Sequence, residues 1–262
     1  MFTVDISVII PSKVGENRLV TAIESVYDQH LNMEILVGID GLDAVMRKKL
    51  ESLPIKNLEI FESDEKIGTT KILNKLLTLA KGEYVARMDA DDVSLPRRLE
   101  KQIAYMKNNR EIAMMCSNAI TTNGSLLFSH ESKLLNYSDF FNDNPIIHPT
   151  VVFRKSDMEA GGYFYNSKWI KAQDFELWTR ISRKHEIYFS SEPLLQYTKS
   201  FSLVGFSKQY FYFEIANFKN LVWHLFRSSS YPKYLSALQM LKVVLIPFDY
   251  LKIIIWNKLN AK

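Results

Sequence analysis

The order of residues predicts an α/β fold built on a doubly wound, mostly parallel sheet. Short apolar runs alternate with helical periodicities up to about residue 110, the order that gives parallel strands with helices packed on both faces. The runs are continuously apolar, as strands buried on both faces are. Asp40 and Asp89 both stand where such a run ends, so both can face the crevice outside the strand carboxyl ends, where these sheets bind ligands.

Ile6–Ile10 is the first strand, stopped by Pro11. Leu19, Ile23, Val26 and Tyr27 then recur at helical spacing as far as Gln29. Glu34–Ile39 is the second strand and closes on Asp40-Gly41, a turn pair. A basic helix over Val45–Leu53 leads to a third strand, Leu58–Phe61. Thr69–Ala80 is a helix whose apolar side carries Ile72, Leu73, Leu76, Leu77 and Leu79. Gly82 suits the end of that helix, and Tyr84–Met88 is a buried strand. A helix with Pro96 in its first turn runs to about Asn108. Beyond residue 110 the alternation weakens. Ala113–Ala119, Leu126–Ser129 and Val151–Arg154 are expected strands, and Lys171–Ser182 an expected helix.

The 262 residues suffice for one large α/β domain with an appendage, or for two small domains. A net charge of +4 is too mild to imply nucleic acid. The single cysteine, Cys116, lies in an apolar run and cannot form an internal disulfide, which fits a core position and a reducing cytoplasm. The chain enters a strand almost at once, so no signal peptide is expected. No uncharged apolar stretch reaches 18 residues, so no transmembrane helix is expected either.

Three carboxylates, Asp89, Asp91 and Asp92, follow the fourth strand within four residues. Like charges held this closely repel, and a fold that keeps them together commonly binds a cation there. Oxygen ligands favour Mg²⁺ or Mn²⁺ over zinc. A solvated acidic turn capping the next helix is the plainer alternative.

Ser7-Val-Ile-Ile-Pro11, Asp40-Gly41, the segment Gly68–Asn74, Gly82-Glu-Tyr84, Asp89-Ala-Asp91-Asp92 and Leu95-Pro-Arg-Arg98-Leu-Glu100 occur in that order. His148-Pro-Thr-Val-Val-Phe-Arg154, Gly161-Gly-Tyr163 and Gln173-Asp-Phe-Glu-Leu-Trp178 follow. This series resembles glycosyltransferase family 2 over roughly residues 4–200. The resemblance implies the GT-A fold: a Rossmann-like nucleotide-sugar half over 1–110, a mixed acceptor half over 111–205, and a helical segment beyond 206.

By that resemblance Asp89 and Asp91 match the family's Asp-x-Asp, with Asp91 the direct metal ligand and Asp89 holding ribose or ion. Pro11, Asp40, Lys71 and Ala90 join Asp89 as residues expected at the nucleotide sugar. Asp92 either caps the following turn or lies near the acceptor. Asp174 is the implied general base, taking the acceptor hydroxyl's proton as its oxygen attacks the anomeric carbon. Gln173 stands where the family carries Glu, which should lower the pKa of Asp174 relative to the usual pair. Glu176 points elsewhere on the helix and ranks below it. Glu100 either supports the metal loop or complements the helix dipole. His148 is a candidate acceptor or phosphate contact, and Trp178 fits the core better than a sugar platform.

The chain also departs from the family. Ile39 and Leu42 replace the Asp and Ser that flank Asp40-Gly41 in relatives, and Lys13-Val14 replaces Tyr-Asn. Lys13 therefore either approaches the diphosphate as a point charge or is solvated.

After residue 210 aromatic and basic residues interleave, from Tyr210-Phe-Tyr-Phe213 through Trp223 and Arg227 to Trp256, with only Glu214 and Asp249 as acids. Such a helix favours an anionic membrane interface over a lid. The expectation is an inverting transferase on the cytoplasmic face of the plasma membrane. It would pass a hexose from a UDP-sugar to a polyprenyl-diphosphate-linked saccharide. Two rivals are a nucleotidyltransferase and a non-catalytic sugar-nucleotide or polysaccharide-binding subunit. Ser12-Lys-Val-Gly15 is too poor in glycine for the first, and joint retention of Asp89, Asp91 and Asp174 speaks against the second.

Overall fold

The computed structural model describes residues 4–27, 31–140, 144–169 and 172–198. The aromatic and basic segment after residue 205 lies outside the described residues. So do residues 28–30, at the expected end of the first helix, and Lys171.

Strands β1 (Ile6–Lys13), β2 (Met33–Asp40), β3 (Leu58–Glu62) and β4 (Tyr84–Arg87) alternate with helices α1 (Leu19–Tyr27), α2 (Ala44–Glu51) and α3 (Thr69–Leu79). They form a parallel block in the order β3-β2-β1-β4. β1 lies inside this block, and Ile6 to Ser12 are all buried. Its side chains alternate between two cores, as a pleated strand requires. Ile6, Val8 and Ile10 pack with residues of α1, α2 and a later helix, while Ile9 packs with α3. Helices thus cover both faces.

Two glycines permit close approach. A Cβ on Gly38 would fall 2.5 Å from Ile72 Cγ2, so α3 rests directly on β2. A Cβ on Gly82 would fall 2.5 Å from the backbone nitrogen of Ser7. Gly82 therefore does not end the preceding helix as expected. Ala80 is the residue after its last turn, and Gly82 is there because β1 passes too close for a side chain.

The second half comprises β5 (Val93–Ser94), α4 (Arg98–Asn108), β6 (Ile112–Thr121), β7 (Lys133–Leu135), β8 (Val152–Arg154), α5 (Lys155–Gly161), α6 (Gln173–Ile181) and β9 (Glu186–Tyr197). β8 inserts antiparallel between β4 and β6, giving β4-β8-β6-β9-β5, with β7 paired on β9. The carboxyl end of β4 and the amino end of β8 consequently share one edge of the sheet. β9 runs parallel to β6 and ends against β5, with Gln196 opposite Val93.

Pro96 lies in the turn before α4 and not within it. Arg97 takes a left-handed conformation (φ 62°), and the helix opens at Arg98. Leu126–Ser129 is not a strand; Leu126 makes a single bridge to Ile120. The short β5 and β7, α5, and the twelve-residue β9 were not expected.

Candidate active site

Two cavities open at the carboxyl ends of the parallel strands, and Asp89 borders both. The smaller, of about 180 Å³, is lined by residues between 11 and 91, among them Pro11, Lys13, Asp40, Ala90 and Asp91. The larger, of about 400 Å³, is lined from the other half by Asn144, His148, Gln173, Asp174 and Tyr197.

On the first side, β2 delivers Asp40 to the cavity wall. Its Oδ1 accepts from the Ile67 amide at 2.7 Å, and both oxygens accept from the Gly68 amide at 3.1 Å. Gly68 has φ +89° and precedes α3. Asp40 thus fixes the entry to the helix whose Thr69 and Ile72 also line this cavity. Lys13 is exposed and pairs with Glu16 at 3.3 Å.

The acidic turn follows β4. One carboxylate oxygen from each of Asp89, Asp91 and Asp92 lies within 4.8 Å of the others. Asp91 Oδ2 accepts from Arg18 Nη2 at 3.1 Å, and Asp89 Oδ1 accepts from Arg87 Nη2 at 2.5 Å. Burial, then the charge of Asp89, raise the pKa of Asp91. Asp92 is 1% exposed. Its Oδ1 accepts from the Thr198 amide at 2.7 Å, and its buried Oδ2 has no partner among the described residues. A buried orphan oxygen beside two further carboxylates fits a hard divalent cation.

Burial, then Asp89, push the Asp92 carboxyl up to about 8, whereas an unfolded Asp ionises at about 3.9. The ionised form is thus disfavoured in the folded state, and the metal-free protein should lose stability as pH rises between about 4 and 8. Asp92→Asn keeps an acceptor for Thr198 and removes this loss. Its melting temperature should exceed that of the metal-free wild type by a margin that widens from about pH 5 to 8. A margin independent of pH in thermal melts would refute the assignment.

Across the larger cavity, Ala172 adopts a left-handed conformation (φ 53°), and α6 begins at Gln173. Asp174 is therefore in the first turn of α6. Asn144 Nδ2 donates to its Oδ2 at 3.5 Å. Burial raises its pKa above the ordinary carboxylate value, opposed by the Phe175 amide and by Arg87. Gln173 adds no like charge, so burial sets the direction. Glu176 turns away and accepts from Arg180 Nε at 2.9 Å.

His148 lies in a 3-10 turn just before β8, on the edge shared with Asp89. Its Nε2 is 2.7 Å from the Tyr165 hydroxyl. Burial, and then Arg87, lower its pKa well below the usual value, so the imidazole is neutral. Trp178 is fully buried and meets His148 edge-on with ring centroids 5.4 Å apart. It lines neither cavity and braces the histidine from the core. Lys71 is exposed on α3 and lines neither cavity. Glu100 pairs with Arg97 at 3.0 Å at the start of α4, so the helix-start role describes it better than support of the acidic turn. Cys116 is wholly buried with a raised thiol pKa, as a core residue.

Arg18, Arg87, Asn144, Tyr165 and Tyr197 were not anticipated. Only Arg87 had a local signal, a charge inside a run of buried strand residues.

Among the described residues no helix is long and apolar enough to cross a membrane. The model of the family "Glycosyl transferase family 2" matches residues 7–166. The chain is 29% identical over 195 residues to an uncharacterized glycosyltransferase, MJ1057, of Methanocaldococcus jannaschii, covering 70% of this chain and 66% of that protein. It is 32% identical over 196 residues to the amylovoran biosynthesis glycosyltransferase AmsE of Erwinia amylovora, covering 69% of each. It is 24% identical over 184 residues to WfgD of Escherichia coli, a UDP-Glc:alpha-D-GlcNAc-diphosphoundecaprenol beta-1,3-glucosyltransferase, covering 70% and 71%. The fold matches that of S. aureus TarS 1-349 in complex with UDP with a TM-score of 0.68 at 16% identity, covering 93% of this chain and 70% of that one. The described residues form a nine-stranded α/β sheet of GT-A type with an acidic turn at the carboxyl end of β4, and the family match over more than half its length makes this chain a member of glycosyltransferase family 2.

Proposed function

We propose that this glycosyltransferase is inverting, and that it passes a hexose, galactose or glucose, from a UDP-sugar to a lipid-linked saccharide during assembly of an O-antigen or capsule. The observation that carries this reading is Asp89 bordering two cavities, with Asp40 and Asp91 on one side and Asp174 on the other. A nucleotide in the smaller cavity, among Pro11, Asp40 and Ala90, would direct its diphosphate toward the acidic turn and its sugar toward Asp174. Asp89 and Asp91, with Asp92 behind them, are the residues to hold Mn²⁺ or Mg²⁺. That cation would neutralise the diphosphate as the sugar–phosphate bond breaks.

Asp174 then accepts the acceptor hydroxyl's proton while the oxygen attacks the anomeric carbon from the face opposite the departing UDP. One base and one displacement invert the centre. On this reading residues 1–110 are the donor half and 111–205 the acceptor half, which agrees with the origin of the two linings. The donor and acceptor classes are supported by the name of WfgD and by UDP in the TarS complex. Polysaccharide assembly is supported by the name of AmsE.

The test is release of UDP from a panel of UDP-sugars with Mn²⁺, with and without a lipid-diphosphate N-acetylglucosamine. One sugar should be transferred only when the lipid is present, and product mass identifies it. Hydrolysis of every donor irrespective of acceptor, or no turnover of any UDP-sugar, would overturn the reading.

The same proposal puts the interleaved aromatic and basic residues after 205 on the inner face of the plasma membrane, beside the lipid-linked acceptor. Full-length protein should float with anionic vesicles while residues 1–205 stay in the soluble fraction. Equal partition of the two would remove this part.

A further inference from the structure

Arg87 ends β4 with 4% exposure, after three buried residues, Tyr84, Val85 and Ala86. Its main chain is held on both sides: the amide donates to Val151 O at 2.9 Å, and the carbonyl accepts from Arg98 Nη2 at 2.9 Å. Among the described residues the guanidinium makes one side-chain bond, from Nη2 to Asp89 Oδ1. Its Nε and Nη1 are buried and have no partner among the described residues. A buried cation with two unused donors forms an incomplete ion pair, and its single bond to Asp89 offsets the cost of burying it only in part.

What the arginine does is orient Asp89. That carboxylate borders both cavities and is 30% exposed, so without a tether its rotamer would be set by solvent. With Oδ1 engaged from the core, Oδ2 is the oxygen left for a ligand. We propose that Arg87 is a positioning residue, which fixes the Asp89 carboxylate so that its second oxygen is presented to the divalent cation. Partners that orient metal ligands in this way set affinity without touching the ion. The inference rests on the metal-dependent reading above and assigns the arginine a role within it.

The experiment is Mn²⁺ binding to the full-length chain, followed by electron paramagnetic resonance with and without UDP, alongside thermal melts. Arg87→Met leaves the part-exposed Asp89 without its partner and should still fold, with a melting temperature at or below that of the wild type. It should bind Mn²⁺ about 10- to 100-fold more weakly. Arg87→Lys, which restores a cation but not the planar fork, should recover part of that affinity. Wild-type Mn²⁺ affinity in folded Arg87→Met would overturn the proposal. Should Arg87→Met not fold, Arg87→Gln carries the same expectation and the same refutation. Failure of both to fold also overturns it, since Arg87 would then be holding the strand. A wild type that binds no Mn²⁺ in either condition defeats the metal reading itself, which separates that failure from failure of the arginine's role.

Discussion

Asp174→Asn should lower kcat for sugar transfer by about 10²- to 10⁴-fold, the range a positioned general base contributes, with the KM for the donor little changed. Asp174 lines the larger cavity alone, whereas the residues assigned to the nucleotide line the smaller one. Its loss removes an interaction that matters only as the acceptor proton moves. The pH profile gives a second, independent reading. A base works ionised, and burial raises the Asp174 pKa. The rate should therefore fall with decreasing pH at a point above the ordinary carboxylate range of about 3.9. In Asp174→Asn that acidic limb should vanish when Mn²⁺ is held saturating at every pH, so that proton competition at Asp91 and Asp92 does not add a limb of its own. A folded Asp174→Asn with wild-type kcat, or one retaining the acidic limb, would transfer the role of base to another group. His148, held neutral and 2.7 Å from Tyr165, is the next group on that wall.

The parallel half of the fold was legible because its information is local. Continuous apolar runs such as Ile6–Ile10, and the Ile72-Leu73-Leu76 stripe, state strand and helix within ten residues. The second half depends on distant pairing. β8 is three residues long and takes its place only because β4 and β6 flank it. β9 contains Ser190, Ser191, Glu192 and Pro193, which read as a loop. It is tolerated as a strand because the β6 pairing shifts register at Asn118, opposite Pro193.

The site divides in the same way. Asp40, Asp89, Asp91 and Asp174 could be named because each sits in a motif or at a strand end. Tyr197 reaches the larger cavity only through the return of β9 to β5. Tyr165 is placed by its backbone, which exchanges two hydrogen bonds with the side chain of Asn74, 91 residues away. Lys71 and Glu100 mark the limit of reading position from sequence, since proximity to a motif brought neither to the wall of the two cavities described.

Removal of divalent metal, or Asp91→Asn, should reduce transfer more than about 100-fold, beyond what loss of an outer partner costs. The carboxylates have little other purpose together. Among the described residues Asp92 Oδ2 is buried without a partner, and Asp91 pairs with the half-exposed Arg18 at 3.1 Å. A cation that satisfies them binds the folded chain alone and so stabilises it, by about 2.7 kcal/mol at a hundredfold excess over Kd. For a domain of this size that is about 5–10 °C in melting temperature. The shift should weaken as pH falls, because raised pKa values on Asp91 and Asp92 mean that protons compete for the same oxygens. Asp91→Asn should lose most of the Mn²⁺-dependent shift while melting normally without metal. An EDTA-treated wild type that still transfers sugar at full rate would show that the diphosphate leaves without a cation. Arg18 would then be the group to test for that charge, since its guanidinium already faces Asp91 at the nucleotide side of the turn.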